Sequence, residues 1–140
     1  MNEVDKEAVI VAALAACDLS VAPFSNFLVG AAVQTQAGKI FTGCNIESAS
    51  YGLTVCAERV AIWKAVSEGE RNFTHLVIAA DTQSLTPPCG TCRQIIWEFA
   101  KNAEIILVNR RGDHDVVQIR DLLPLAFDAR FLKEAMRSRT

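Results

Sequence analysis

The chain has 140 residues, 51% hydrophobic and 21% charged, which is enough apolar material for one packed domain over residues 1–140 and excludes a disordered polymer. A net charge of −2 and an aromatic share of 7% argue against a module that neutralises nucleic-acid phosphates and stacks bases. No apolar run is long enough to span a membrane and no export signal opens the sequence, so a cytoplasmic protein is expected, with its five cysteines serving metal binding or catalysis rather than disulfides.

Residues 3–18 read as a helix. Val9, Ile10, Ala13, Leu14 and Cys17 recur at helical spacing on one face, and Cys17 reads as a small core residue. Residues 22–27 form a loop that holds Phe24 and Phe27. Two readings stand for it: a loop pinned to the core by aromatics, or an aromatic wall over a pocket. Residues 28–36 and 39–44 read as two strands joined by a turn at Ala37-Gly38, with Cys44 structural. Asn45 and Glu47 follow. On an extended path both side chains point the same way, and an amide and a carboxylate together can grip vicinal hydroxyls. Loop capping is the alternative reading for this pair.

A second helix is expected over residues 56–69, with Thr54 as its N-cap and Gly69 at its C-terminal end. Residues 74–80 read as a buried strand and residues 81–88 as a polar, proline-ended loop. A third helix covers residues 90–101, with Ile95, Ile96 and Phe99 on one face. Residues 104–108 are another buried strand, 110–113 a turn, 115–119 a short edge strand and 120–123 a single helical turn. Residues 128–137 form a terminal helix with a basic end. The order αββαβαββα implies one α/β domain, a sheet with helices packed on its faces.

Chemistry concentrates in two stretches, Thr54-Val55-Cys56-Ala57-Glu58-Arg59 and Pro87-Pro88-Cys89-Gly90-Thr91-Cys92-Arg93-Gln94. Cys89 and Cys92 have the Cys-x-x-Cys spacing that lets two sulfurs meet one tetrahedral metal. Alone, that spacing also fits a redox pair or half of a structural zinc site. Cys56 is the well-placed third ligand, and three ligands leave one coordination position open, as a catalytic site requires. Both stretches lie at predicted helix starts, where the dipole and free backbone N–H groups favour thiolate. Three thiolates on Zn²⁺ leave a formal charge of −1. Arg59 can offset it by donating to the sulfurs, or it can form a surface salt bridge. Glu58 sits two residues from Cys56 and is placed to reach water at the metal rather than the metal itself, as a general base and acid. Without the downstream cysteines it would read as an ordinary first-turn glutamate.

Cys56-Ala57-Glu58 with Pro88-Cys89-Gly90-Thr91-Cys92-Arg93-Gln94 resembles the signature of the zinc-dependent cytidine deaminases, in their short, homotetrameric class. The resemblance extends over Gly43-Cys44-Asn45-Ile46-Glu47, Tyr51, Ala65-Val66-Ser67-Glu68-Gly69 and Leu122-Leu123-Pro124-Leu125-Ala126-Phe127. It implies a three-layer α/β/α domain with a mixed five-stranded sheet, and Zn²⁺ held by Cys56, Cys89 and Cys92. It implies Glu58 as proton carrier and Arg59 beside the sulfurs. Asn45 and Glu47 are expected on the sugar hydroxyls, Phe27 against the pyrimidine, and the Ala57 backbone N–H on the base carbonyl. Tyr51 and Phe127 are expected to reach a neighbouring subunit's site in a homotetramer. The implied reaction is hydrolytic deamination of cytidine and 2'-deoxycytidine at C4, with loss of ammonia, in pyrimidine salvage. The expected partner is thus a small pyrimidine nucleoside, with no nucleic acid and no membrane. Phe24, Ser48 and Pro87 depart from the family's frequent tyrosine, asparagine and serine, which bears on substrate preference. A blasticidin S deaminase and a non-catalytic zinc module are the alternatives.

Overall fold

The computed structural model describes residues 3–137, with side chains from residue 6 onward. Its elements run α1 (Glu3–Cys17), β1 (Val29–Thr35), β2 (Ile40–Cys44), α2 (Ala57–Ser67), β3 (Phe73–Ala80), α3 (Gly90–Phe99), β4 (Glu104–Asn109), β5 (His114–Val117), α4 (Ile119–Leu122) and α5 (Ala129–Arg137). The strands form one mixed sheet in the order β2-β1-β3-β4-β5. Only β3 and β4 run parallel, and α3 makes the crossover between them.

Strand periodicity sorts the core into two clusters, one on each face of the sheet. Ala31, Val33, Leu76, Ile78, Ile105 and Leu107 point toward α2, α3 and α4. Ala32, Val77, Ala79, Ile106 and Val108 alternate with them and meet Val9, Ala13 and Cys17 of α1. The result is the expected three-layer α/β/α arrangement. Every residue of β1 is buried, which explains its run of small and apolar residues from Val29 to Val33. Cys17 is wholly buried and donates its thiol to Ala79 O at 3.2 Å, so its core reading holds. The Cys44 thiol lies near Leu19 O, 3.4 Å away.

Helix boundaries differ from the sequence reading for tertiary reasons. Cys56, not Thr54, is the N-cap of α2. Ile46 and Val55 exchange backbone hydrogen bonds at 3.0 Å in both directions, which holds the chain extended up to Cys56. Thr54 instead ends a 3₁₀ turn over Tyr51–Leu53 and accepts a hydrogen bond from Ser48 N. The far end of α2 behaves as expected. Gly69 has φ +96°, its N–H donates to Val66 O, and the next N–H, of Glu70, donates to Ala65 O, which is a Schellman termination. The α3 face also differs: Cys92 and Ile96 are buried, whereas Phe99 is 38% exposed. Ile119, expected at the end of β5, begins α4 instead, where it is wholly buried in the α2/α3 core. Helix α5 opens on Asp128, whose carboxylate accepts from Arg130 N and from Trp97 Nε1 of α3. The Arg130 side chain and then Trp97 hold that carboxyl well below the usual range.

Two glycines set the spacing between layers. A Cβ at Gly30 would run into the Ala13 carbonyl and the Cys17 amide of α1. A Cβ at Gly43 would lie 2.5 Å from both Ala57 O and Ala61 N of α2. Both obstacles are backbone, which cannot swing aside. Gly43→Ala is therefore expected to lower stability by about 1–3 kcal/mol, the usual cost of overpacking. A denaturant midpoint unchanged from the parent would show that α2 does not rest on β2 as described.

Candidate active site

The site assembles where α2 and α3 begin. Cys56 is the N-cap residue of α2 and Cys89 that of α3, so both sulfurs stand at the positive end of a helix dipole. Cys89 Sγ accepts from Cys92 N at 3.5 Å, a cap made by sulfur. Arg93 braces this turn by donating from Nε to Pro88 O at 2.8 Å and from Nη1 to Leu122 O at 3.0 Å. No local pattern in the sequence signals this bracing role for Arg93.

The three sulfurs of Cys56, Cys89 and Cys92 lie within 4.8 Å of one another, and Cys56 Sγ is 3.6 Å from Cys89 Sγ. A tetrahedral Zn²⁺ with Zn–S bonds of ~2.3 Å places its sulfurs ~3.8 Å apart, so the set fits that ion. Among the described residues the cluster has three members. Hydrogen bonding with the Cys92 thiol, then with Arg59 and Cys89, draws Cys56 down to about 5. The Cys92 thiol moves the opposite way, raised by sharing its proton with Cys56 and by burial. Arg59 Nη2 donates to Cys56 Sγ at 3.7 Å, which puts the guanidinium beside the sulfurs rather than in a surface ion pair.

Glu58, in the first turn of α2, is 4% exposed. Burial drives its carboxyl up to about 7, with its own backbone N–H opposing and the Cys56 charge reinforcing the shift. It shares a cavity of about 340 Å³ with Cys56, Cys89, Phe27, Asn45 and Glu47. Cys92 lies buried beneath the cavity. The walls also include Val55, Ile78 and Thr86, which carried no chemical signal in the sequence, and Pro87, one of the three departures. A larger groove of about 430 Å³ lies on the far side of the sheet, between α1 and β4–β5, and contains none of the thiols.

Residues 45–47 do stay extended, clamped between Val21 and Val55 by backbone bridges. Asn45 Oδ1 accepts from Val29 N and its Nδ2 donates to Phe27 O, which leaves one donor and one acceptor position on the amide. The Glu47 carboxylate accepts from Phe24 N at 2.9 Å, from Ser25 N at 3.1 Å and from the Ser25 hydroxyl. The hydroxyl bond leads in holding that carboxyl below its ordinary value. Glu47 thus pins the 22–27 loop, a job the aromatics do not do: Phe24 is 52% exposed and Phe27 38%. Phe27 forms cavity wall, while Phe24 meets Tyr51 edge-on, with ring centroids 5.7 Å apart. Ala57 is wholly buried and lines the cavity as the first residue of α2, where the backbone N–H has no partner within the helix. Tyr51 and Phe127 are 74% and 57% exposed, and neither lines this cavity. Phe127 stacks on Phe131, and its carbonyl accepts from Gln94 Nε2 at 2.8 Å.

Residues 3–108 match the family described as the cytidine and deoxycytidylate deaminase zinc-binding region. A cytidine deaminase from Halalkalibacterium halodurans is 43% identical over 89% of this chain and 96% of its own length. The crystal structure of a cytidine deaminase from Burkholderia pseudomallei superposes with a TM-score of 0.84 at 45% identity, covering 91% of this chain and all of that one. A blasticidin-S deaminase from Bacillus cereus is 34% identical over 71% of this chain and 76% of its own. With three thiols, a buried glutamate and these likenesses in agreement, the chain belongs to the zinc-dependent cytidine and deoxycytidylate deaminase family.

Proposed function

We propose that the chain catalyses hydrolytic deamination of cytidine and 2'-deoxycytidine to uridine and 2'-deoxyuridine, with release of ammonia. The observation that carries this reading is one buried carboxyl, Glu58, in a cavity whose floor is a metal-binding thiol cluster. Cys56, Cys89 and Cys92 hold Zn²⁺. The ion supplies Lewis acidity, which makes water a nucleophile near neutral pH. Glu58 would take one proton from water and give it to N3 as the oxygen adds to C4, then take the second proton from that oxygen and give it to the amine, which leaves C4 as ammonia. Burial favours the protonated form of this carboxyl, which suits a group that must take up and hand on protons.

Binding uses the rest of the cavity. Phe27 packs against the base and the Ala57 N–H meets its carbonyl oxygen. The remaining hydrogen-bonding capacity of Asn45 and Glu47 takes the sugar hydroxyls. The cavity walls carry the carboxylates Glu47 and Glu58 and neither lysine nor arginine. That lining repels a 5'-phosphate and favours a free nucleoside over a nucleotide or a polynucleotide. In this reading residues 1–140 are one catalytic domain that works as a homotetramer in the cytoplasm, in pyrimidine salvage. The exposure of Tyr51 and Phe127 supports their reaching into a neighbouring subunit's site.

Three measurements test the assignment. Ultraviolet absorbance is followed while the protein meets cytidine, deoxycytidine, deoxycytidine 5'-monophosphate, cytosine and blasticidin S. Turnover of the two nucleosides is expected, and turnover of the monophosphate or of blasticidin S alone would overturn the reading. Glu58→Gln is expected to keep its zinc and lose activity by at least about 10²- to 10⁴-fold, the usual contribution of a general acid–base group. Near-normal turnover would remove Glu58 from the mechanism. Cys89→Ser is expected to reduce zinc content sharply by elemental analysis, and full occupancy would contradict its role as ligand.

A further inference from the structure

Hydrogen bonding holds Arg59 at one end only. Its Nη2 donates to Cys56 Sγ, while its Nε is buried with no hydrogen-bond partner. A guanidinium with an unsatisfied buried donor gains by turning out to water, and its long side chain allows that turn. Beside it stands Trp63, four residues further along α2, whose ring centroid lies 5.8 Å from Arg59 Cζ. Residues four apart on a helix are neighbours, so the pair needs no tertiary contact to form. Trp63 is 44% exposed and belongs to neither hydrophobic cluster, so core packing does not account for an indole at that position. The other side chains of α2 that face inward are Ala57, Glu58, Ala61, Ile62 and Ala65.

We propose that Trp63 is a positioning residue: its indole face holds the Arg59 guanidinium against the Cys56 sulfur, and so steadies the thiolate cluster toward zinc. The inference rests on the metal reading given above. Three thiolates around a divalent cation carry a formal charge of −1, and a guanidinium beside them offsets it. The electron-rich ring face gives that cation a second favourable contact, which opposes its turning away from the sulfur. The indole therefore acts on the sulfurs without touching them, through the one cation that does.

The test uses zinc-loaded protein and the variants Trp63→Leu and Trp63→Phe, each alone and combined with Arg59→Met. Leucine keeps apolar bulk but has no ring face, and phenylalanine keeps a face. Two quantities are read: the rate at which zinc passes to a chromogenic chelator, and kcat and KM for cytidine. Trp63→Leu is expected to release zinc about two- to five-fold faster, the worth of one exposed cation–π contact. Its kcat falls by a similar factor and KM does not change. Trp63→Phe restores most of both. In the Arg59→Met background Trp63→Leu has no further effect, because the cation through which it acts is gone. Equal zinc release by Trp63→Leu and the parent overturns the proposal. The same increase with or without Arg59 also overturns it, since the indole would then act through the fold. A parent protein that takes up no zinc overturns the metal reading itself, an outcome distinct from a zinc-loaded parent whose Trp63→Leu variant behaves like it.

Discussion

Two helices begin at one point in space, and a cysteine caps each of them. That coincidence of helix starts is the constraint on which the rest of the chain depends. Thiolates concentrate negative charge, and three of them on one metal ion, with sulfurs within 4.8 Å, would repel one another. The dipoles of α2 and α3 and the Arg59 guanidinium offset that charge from the protein side. The sheet fixes where the helices start. Helix α3 leaves the loop after β3, while α2 is released only where the bridge between Ile46 and Val55 ends. Glu58 then falls into the first turn, deep enough for burial to raise its carboxyl. Position and protonation of the proton carrier are thus one consequence of where a helix starts.

The extended segment after β2 joins this centre to the entrance. Asn45 and Glu47 each serve the fold and the cavity at once. Asn45 ties the start of β1 to the residue that ends the loop. Glu47 gathers the Phe24 and Ser25 amides. Their alternation along the strand aims both at the same space, so the loop that carries Phe27 is positioned by the side chains that face the cavity. The C-terminal segment is tied on as well, through Arg93, Gln94 and Trp97, three side chains of the helix that carries Cys92.

Much of this was legible in the sequence because it depends on short-range spacing. The Cys-x-x-Cys pair, the third thiol and the glutamate two residues beyond it need only a helix start to acquire meaning. Continuous runs of apolar and small residues mark β1, β3 and β4 as strands, since both faces of the sheet are covered. The misplaced N-cap shows where such reading ends. Thr54 has the better capping chemistry, yet the bridge between the next residue, Val55, and Ile46 holds the chain extended past it. Ile119 was likewise read as strand because an apolar residue after Val117 looks the same whether the chain continues or turns. The anchoring of the 22–27 loop by Glu47 was hidden for the same reason: a carboxylate that takes backbone amides more than twenty residues away leaves no local pattern. Trp63 was equally silent, for its spacing from Arg59 is also that of any two neighbours on a helix.

Gly43 adds something to the character of this centre. Where it meets α2, its nearest neighbours are main-chain atoms, the Ala57 carbonyl and the Ala61 amide, with the Val60 Cβ just beyond. Van der Waals contact between backbone atoms sets that separation. The helix that carries the first thiol is therefore referenced to a standard that core substitutions do not alter. Replacement of Ile62 or Ile78, both buried in the same cluster, changes how firmly the layers adhere before it changes where the sulfur stands. Such an enzyme can drift widely in its interior while its reactive geometry is handed down unchanged.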